Sequence, residues 1–105
     1  MKAVINGRRY DTDTALKIGT CSYGNASVDL HYCDETLYKT PAKGLYFLAG
    51  EGGPLSVYGR SDGPNSRTSG ERIVPMTQKQ ALLWAESHLP ADAVEAHFGD
   101  QIEDA

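Results

Sequence analysis

Glu35-Thr36-Leu37-Tyr38-Lys39-Thr40-Pro41-Ala42-Lys43-Gly44-Leu45-Tyr46-Phe47-Leu48-Ala49 is the stretch whose reading decides the fold. Two runs rich in aromatic and β-branched residues, 36–39 and 45–49, flank a Pro/Gly turn, which is the pattern of a β-hairpin. Residues 45–49 are apolar without interruption, so they are expected to form a central strand covered on both faces.

Upstream, Ala3-Val4-Ile5, then Asn6-Gly7, then Arg8-Arg9-Tyr10 reads as another hairpin, because Asn and Gly tolerate the positive φ of a type I′ turn. Asp11-Thr12-Asp13-Thr14 offers side-chain oxygens that cap free amides, which predicts a short helical turn over residues 15–18 stopped by Gly19. Residues 23–27 read as a polar loop, and Val28-Asp29-Leu30-His31-Tyr32-Cys33 alternates like a strand with one wet face. Downstream, Gly50-Glu51-Gly52-Gly53-Pro54 ends the central strand, and residues 55–58 suit a helical turn or a short strand. Residues 61–70 form a long polar loop, and Ile73-Val74 make a last strand ended by Pro75.

Thr77-Gln78-Lys79-Gln80 is a capping box. The helix it opens places Leu82, Ala85 and Leu89 on one face, flanked by Ala81, Trp84 and His88. Pro90 starts a second helix, in which Val94, His97 and Phe98 share a face and Gly99 ends the run. The expected fold is α+β: a small twisted antiparallel sheet of about four to five strands with the C-terminal helices packed on one face. With 105 residues, 40% hydrophobic and 23% charged, the chain is expected to be a single domain over residues 1–105.

Charge is unevenly distributed within a net of −4. Up to Lys79 acids and bases roughly cancel, whereas residues 80–105 contain no Lys or Arg and carry Glu86, Asp92, Glu95, Asp100, Glu103 and Asp104. Such an acidic C-terminal end repels nucleic acid and attracts basic partners, including proteins that themselves bind nucleic acid; its bland reading is a solvated tail. No apolar run approaches membrane-spanning length, and Met1-Lys2-Ala3-Val4-Ile5-Asn6 breaks before reaching the length of a signal-peptide core. A cytoplasmic protein with two free thiols, Cys21 and Cys33, is therefore expected.

The chemistry-bearing motifs are weak. Cys21, His31 and Cys33 lack zinc-ligand spacing, and neither Cys33 beside His31 nor Cys21 with a distant His sits on a nucleophile turn. Gly50-Glu51-Gly52-Gly53 lacks the Lys and Ser/Thr of a phosphate loop, and Glu51 would repel phosphate. No catalytic residue, metal or cofactor is expected. Arg60, Arg67 and Arg72 near a flexible loop could meet nucleic acid, but a pI near 5.2 argues against direct binding. A protein-binding surface is better supported: Leu83 falls opposite the buried face of its helix beside Glu86, and the loop after Tyr58 combines Tyr and Arg as interaction hot spots do.

The stretches MKAVINGRRYDTDTA (1–15), ETLYKTPAKGLYFLAGEGGPLSVYG (35–59) and ERIVPMTQKQALLWAESHL (71–89) resemble a family of small proteins carried by phages, integrative elements and their bacterial hosts. The resemblance covers most of the chain and is weakest over residues 18–30 and 60–70. In size and sequence the chain is similar to anti-CRISPR inhibitors directed at type II CRISPR nucleases. That resemblance implies a non-enzymatic protein, acting in the bacterial host cytoplasm, that binds the nuclease with or without its guide RNA. It would stop the nuclease engaging or cutting DNA. No catalytic or ligand residue carries over. The surface expected to meet the partner comprises the six C-terminal acids together with Tyr58, Arg60, Arg67 and Leu83. The competing reading is an accessory or regulatory protein of a mobile element that binds its DNA or transfer machinery.

Overall fold

The computed structural model describes residues 1–25 and 28–105. It opens with the hairpin that Asn6-Gly7 dictates, both residues having positive φ (52° and 75°). Strands β1 (Lys2–Ile5) and β2 (Arg8–Asp11) pair antiparallel with Ala3 opposite Tyr10. The Asp11 side chain then closes a turn, accepting from the Asp13 amide at 2.9 Å, while the Asp11 carbonyl accepts from the Ala15 amide at 3.1 Å.

That turn does not continue as the expected helix. Residues from Leu16 onward form β3 (Leu16–Tyr23), because their backbone groups find partners across the sheet from Leu16–Lys39 to Tyr23–Cys33. A bulge between Lys17 and Gly19 interrupts the register. The strand expected over residues 28–33 is likewise replaced, this time by turns. Asp29 Oδ1 accepts from the His31 amide at 2.8 Å and the Asp29 carbonyl from the Tyr32 amide at 3.1 Å, so only Cys33 enters a strand. The loop expected over residues 23–27 falls partly outside the described residues, and Tyr23 belongs to β3.

β4 (Cys33–Lys39) and β5 (Tyr46–Gly52) form the hairpin read from the sequence, with Leu37 opposite Leu48 and Tyr38 opposite Phe47. Gly44 supplies the positive φ (66°) its turn needs, and Thr40 Oγ1 accepts from the Leu45 amide at 2.9 Å. Residues 55–58 adopt consecutive tight turns rather than a helical turn or strand. The polar loop beyond them contains a two-stranded ribbon, β6 (Arg60–Ser61) with β7 (Arg67–Thr68). β8 (Gly70–Met76) is longer than expected. Pro75 lies inside it opposite Phe47, and at a sheet edge its missing amide removes no ladder bond.

The main sheet is four-stranded and antiparallel, in the order β3-β4-β5-β8. Helices α1 (Gln78–His88) and α2 (Ala91–Phe98) cover one of its faces. The capping box is formed, Thr77 Oγ1 accepting from the Gln80 amide and Gln80 Oε1 from the Thr77 amide. Pro90 is the N-cap of α2 rather than its first helical residue, and a short 3-10 turn, Gly99–Gln101, follows Phe98. On the helix side Ile18, Leu37, Tyr46 and Leu48 pack against Ala81, Trp84, Ala85, Val94 and Phe98. On the opposite side Phe47 and Ile73 pack against Tyr10 of the N-terminal hairpin, with Tyr38 stacked on Phe47 at 5.2 Å. β5 is thus covered on both faces, as its apolar run requires. Among the described residues no helix is long and apolar enough to cross a membrane.

Candidate binding surface

Antiparallel pairing places facing residues on the same side of a sheet. Cys21, Glu35, Gly50 and Arg72 therefore form one row across β3, β4, β5 and β8 on the helix side. Glu35 is the keystone of this row. Its Oε2 accepts from the Tyr58 hydroxyl at 2.5 Å and its Oε1 from the Trp84 indole N–H at 3.1 Å. Gly50 makes this possible, since a Cβ there would run into the Tyr58 ring and hydroxyl. The Arg72 guanidinium lies over the same ring, 5.2 Å from its centroid.

This arrangement corrects the placement of Tyr58. Expected on the partner-binding surface, it is 4% exposed and ties the turns after β5 to helix α1 through Glu35. Burial first, then the hydrogen bond and the charge of Glu35, push its phenol above the ordinary value, with Arg72 opposing. Arg67 is exposed, yet its guanidinium holds the loop closed, Nε donating to the Pro54 carbonyl at 2.7 Å and Nη2 to the Gly59 carbonyl at 3.1 Å. Arg60 is exposed and lines a shallow depression with Tyr32, Glu51 and Glu71. Leu83 stands where the helical period puts it, opposite the buried face of α1 and 54% exposed.

All six C-terminal acids are exposed: Glu86 on α1, Asp92 and Glu95 on α2, Asp100 in the 3-10 turn, and Glu103 and Asp104 beyond it. Among the described residues none of the six forms an ion pair. Glu95 and Asp100 both line a groove of about 600 Å³, together with Lys39 at the end of β4 and Lys43 in the β4–β5 turn. The sequence reading did not anticipate those lysines, because the turn meets α2 only through the tertiary fold. Tyr46, stacked on Phe98 at 5.3 Å and lying under Lys39, lines the same groove.

The nucleophile and metal candidates rearrange. His31 faces Asp29, its Nδ1 3.6 Å from Oδ1. Burial and the neighbouring Glu35, Asp34 and Cys21 raise the Cys33 thiol above its ordinary value, which disfavours a reactive thiolate. The Cys–His pair that does form is Cys21 with His88, Sγ to Nδ1 3.4 Å, and the imidazole packs against Trp84 at 4.9 Å. Both cysteines are free, and among the described residues no group of three His, Cys, Asp or Glu side chains could hold a metal ion. Comparison with protein-family models, with curated proteins and with solved structures returned no match to this chain.

Proposed function

We propose that this chain is a non-enzymatic inhibitor that binds a type II CRISPR nuclease, with or without its guide RNA, and keeps DNA from being engaged or cut. Its place of action is the cytoplasm of the bacterial host. The observation that carries this reading is the set of exposed carboxylates from Glu86 to Asp104, none ion-paired among the described residues, in a segment without Lys or Arg. RNA-guided nucleases hold nucleic acid in strongly basic channels. Carboxylates that need break no internal pair can occupy such a channel in place of phosphates, steered there by long-range attraction. Leu83 beside Glu86 adds an apolar anchor to the acidic surface.

The accessory-protein reading rests on Arg60, Arg67 and Arg72 meeting DNA. Arg67 is already engaged by two backbone carbonyls and Arg72 by the Tyr58 ring, which leaves little free basic surface in that loop. A DNA gel shift at low salt separates the two readings, because an acidic mimic does not shift DNA.

The decisive assay titrates the protein into DNA cleavage by purified type II nucleases, before and after guide loading. Inhibition near stoichiometric amounts, weakening as salt rises, is expected. The variant Glu95→Gln/Asp100→Asn/Glu103→Gln/Asp104→Asn is expected to inhibit less. Full potency in that variant would end the phosphate-mimic mechanism. Unimpaired cleavage by several orthologous nucleases in the presence of the wild-type protein would end the nuclease reading itself.

A further inference from the structure

The N-terminal hairpin and the β4–β5 turn enclose a second pocket between them, of about 360 Å³. That volume lies within the range of about 300–1,000 Å³ usual for small-molecule sites. Much of its lining is apolar, from Tyr10, Ala15, Pro41, Ala42 and Leu45. Arg8 and Arg9 of β2 and Lys43 of the turn share that lining. All three are exposed, and among the described residues none forms an ion pair. The one acid among the lining residues described, Asp11, has its Oδ1 occupied by the Asp13 amide. Three cations against one acid leave a net of two positive charges beside an apolar interior. This balance is local, since the whole chain carries −4 and none of the six C-terminal acids lines the pocket. Like charges gathered at one place repel each other, and a bound anion relieves them.

We propose that this pocket binds a nucleoside monophosphate, with the phosphate held by Arg8, Arg9 and Lys43 and the base seated among the apolar residues. A phosphate monoester carries about −1.5 to −2 charges near pH 7, which answers the net charge of the lining. Guanidinium groups pair with phosphate oxygens in a bidentate fork, and an ammonium adds a point charge. A nucleobase has an apolar face and ring nitrogens that accept hydrogen bonds. Thr40 Oγ1, which also lines the pocket, accepts from the Leu45 amide at 2.9 Å and keeps its own proton to donate. Duplex DNA does not suit the pocket, because its backbone diesters carry a single charge each and its bases stay stacked. The assignment is therefore independent of the nuclease reading, and the two stand or fall separately.

Heteronuclear NMR of the full chain at low salt, titrated with AMP, is expected to shift the amides of Arg8, Arg9, Ala42 and Lys43 saturably. No saturable shift up to millimolar AMP overturns the proposal. Adenosine and ribose 5-phosphate each lack one half of the ligand and are each expected to bind at least about tenfold more weakly, the loss that follows from one charge-assisted hydrogen bond or one buried ring. Ribose 5-phosphate binding as tightly as AMP would show that the apolar residues hold no base. Adenosine binding as tightly would show that the cations hold no phosphate. Ala42→Phe fills the pocket from an exposed position and is expected to abolish binding, and Arg8→Gln and Lys43→Gln are each expected to weaken it about tenfold. Undiminished AMP binding in Ala42→Phe, with its circular dichroism unchanged, overturns the site.

Discussion

Replacing Tyr58 by Phe removes one oxygen from the interior and leaves the ring in place. That oxygen donates to Glu35, and among the described residues the only other donor to this carboxylate is the Trp84 indole. A hydrogen bond to a charged group contributes about 1.5–3 kcal/mol net, more than the roughly 1 kcal/mol of a neutral pair. Because Glu35 is only partly exposed, its orphaned Oε2 is incompletely rehydrated, which places the effect in the upper part of that range. Tyr58→Phe is therefore expected to lower the unfolding free energy by about 2–3 kcal/mol. At about 4 °C per kcal/mol for a domain near this size, Tm falls by roughly 8–12 °C. Urea unfolding followed through Trp84, the sole tryptophan, measures this as a lower midpoint at constant slope. A loss below about 0.5 kcal/mol, the level of an ordinary surface substitution, would refute the role given to Glu35. The pH dependence supplies an independent check. The folded chain keeps the phenol proton to higher pH than the unfolded chain, whose tyrosine titrates near 10.0. Above that pH the folded state binds more protons, so stability falls as pH rises. The contribution is complete below pH 10 and is lost progressively above it, so the gap between wild type and Tyr58→Phe narrows on the alkaline side.

Gly50→Ala drives a methyl into the Tyr58 ring and is expected to cost about 1–3 kcal/mol by overpacking. The same change in a Tyr58→Ala background costs less, and equal costs in both backgrounds would place the clash elsewhere. Thr77→Ala removes the capping-box acceptor of α1 and is expected to lower stability by about 1 kcal/mol in the same urea assay. The four-fold neutralisation of Glu95, Asp100, Glu103 and Asp104 is expected to leave stability within about 0.5 kcal/mol, since all four are exposed and none is ion-paired among the described residues. A larger loss in thermal melts would show that any fall in inhibition reflects unfolding.

The elements legible in the sequence are those whose signals are local and mutually consistent. Asn6-Gly7, the Thr40–Gly44 turn between aromatic runs, and the Thr77–Gln80 box each specify their own geometry, and each is formed. Residues 15–18 read as a helical turn and form strand instead, because Asp11 offers the same oxygens to a turn as to a helix N-terminus and pairing with β4 decides between them. Residues 28–33 alternate like a strand, but the Asp29 side chain captures the amide of His31 and folds the backbone into turns. The exposed acids and Leu83 were readable from composition and helical period. The Glu35–Tyr58–Trp84 knot was not, since it joins residues 23 and 49 positions apart in the chain. Tyr58 looked like a surface hot spot because the space that buries it is created by what Gly50 lacks.

Among the described residues the N-terminal hairpin shares no strand ladder with the main sheet and holds to it through Tyr10 and its apolar neighbours against Phe47 and Ile73. Its amides are therefore guarded by a side-chain contact rather than by the hydrogen-bonded network of β4 and β5. In native-state hydrogen exchange the amides of β1 and β2 open with the hairpin as one unit while the sheet stays closed. Those of β5, locked between two cores and two strands, exchange only when the whole domain unfolds.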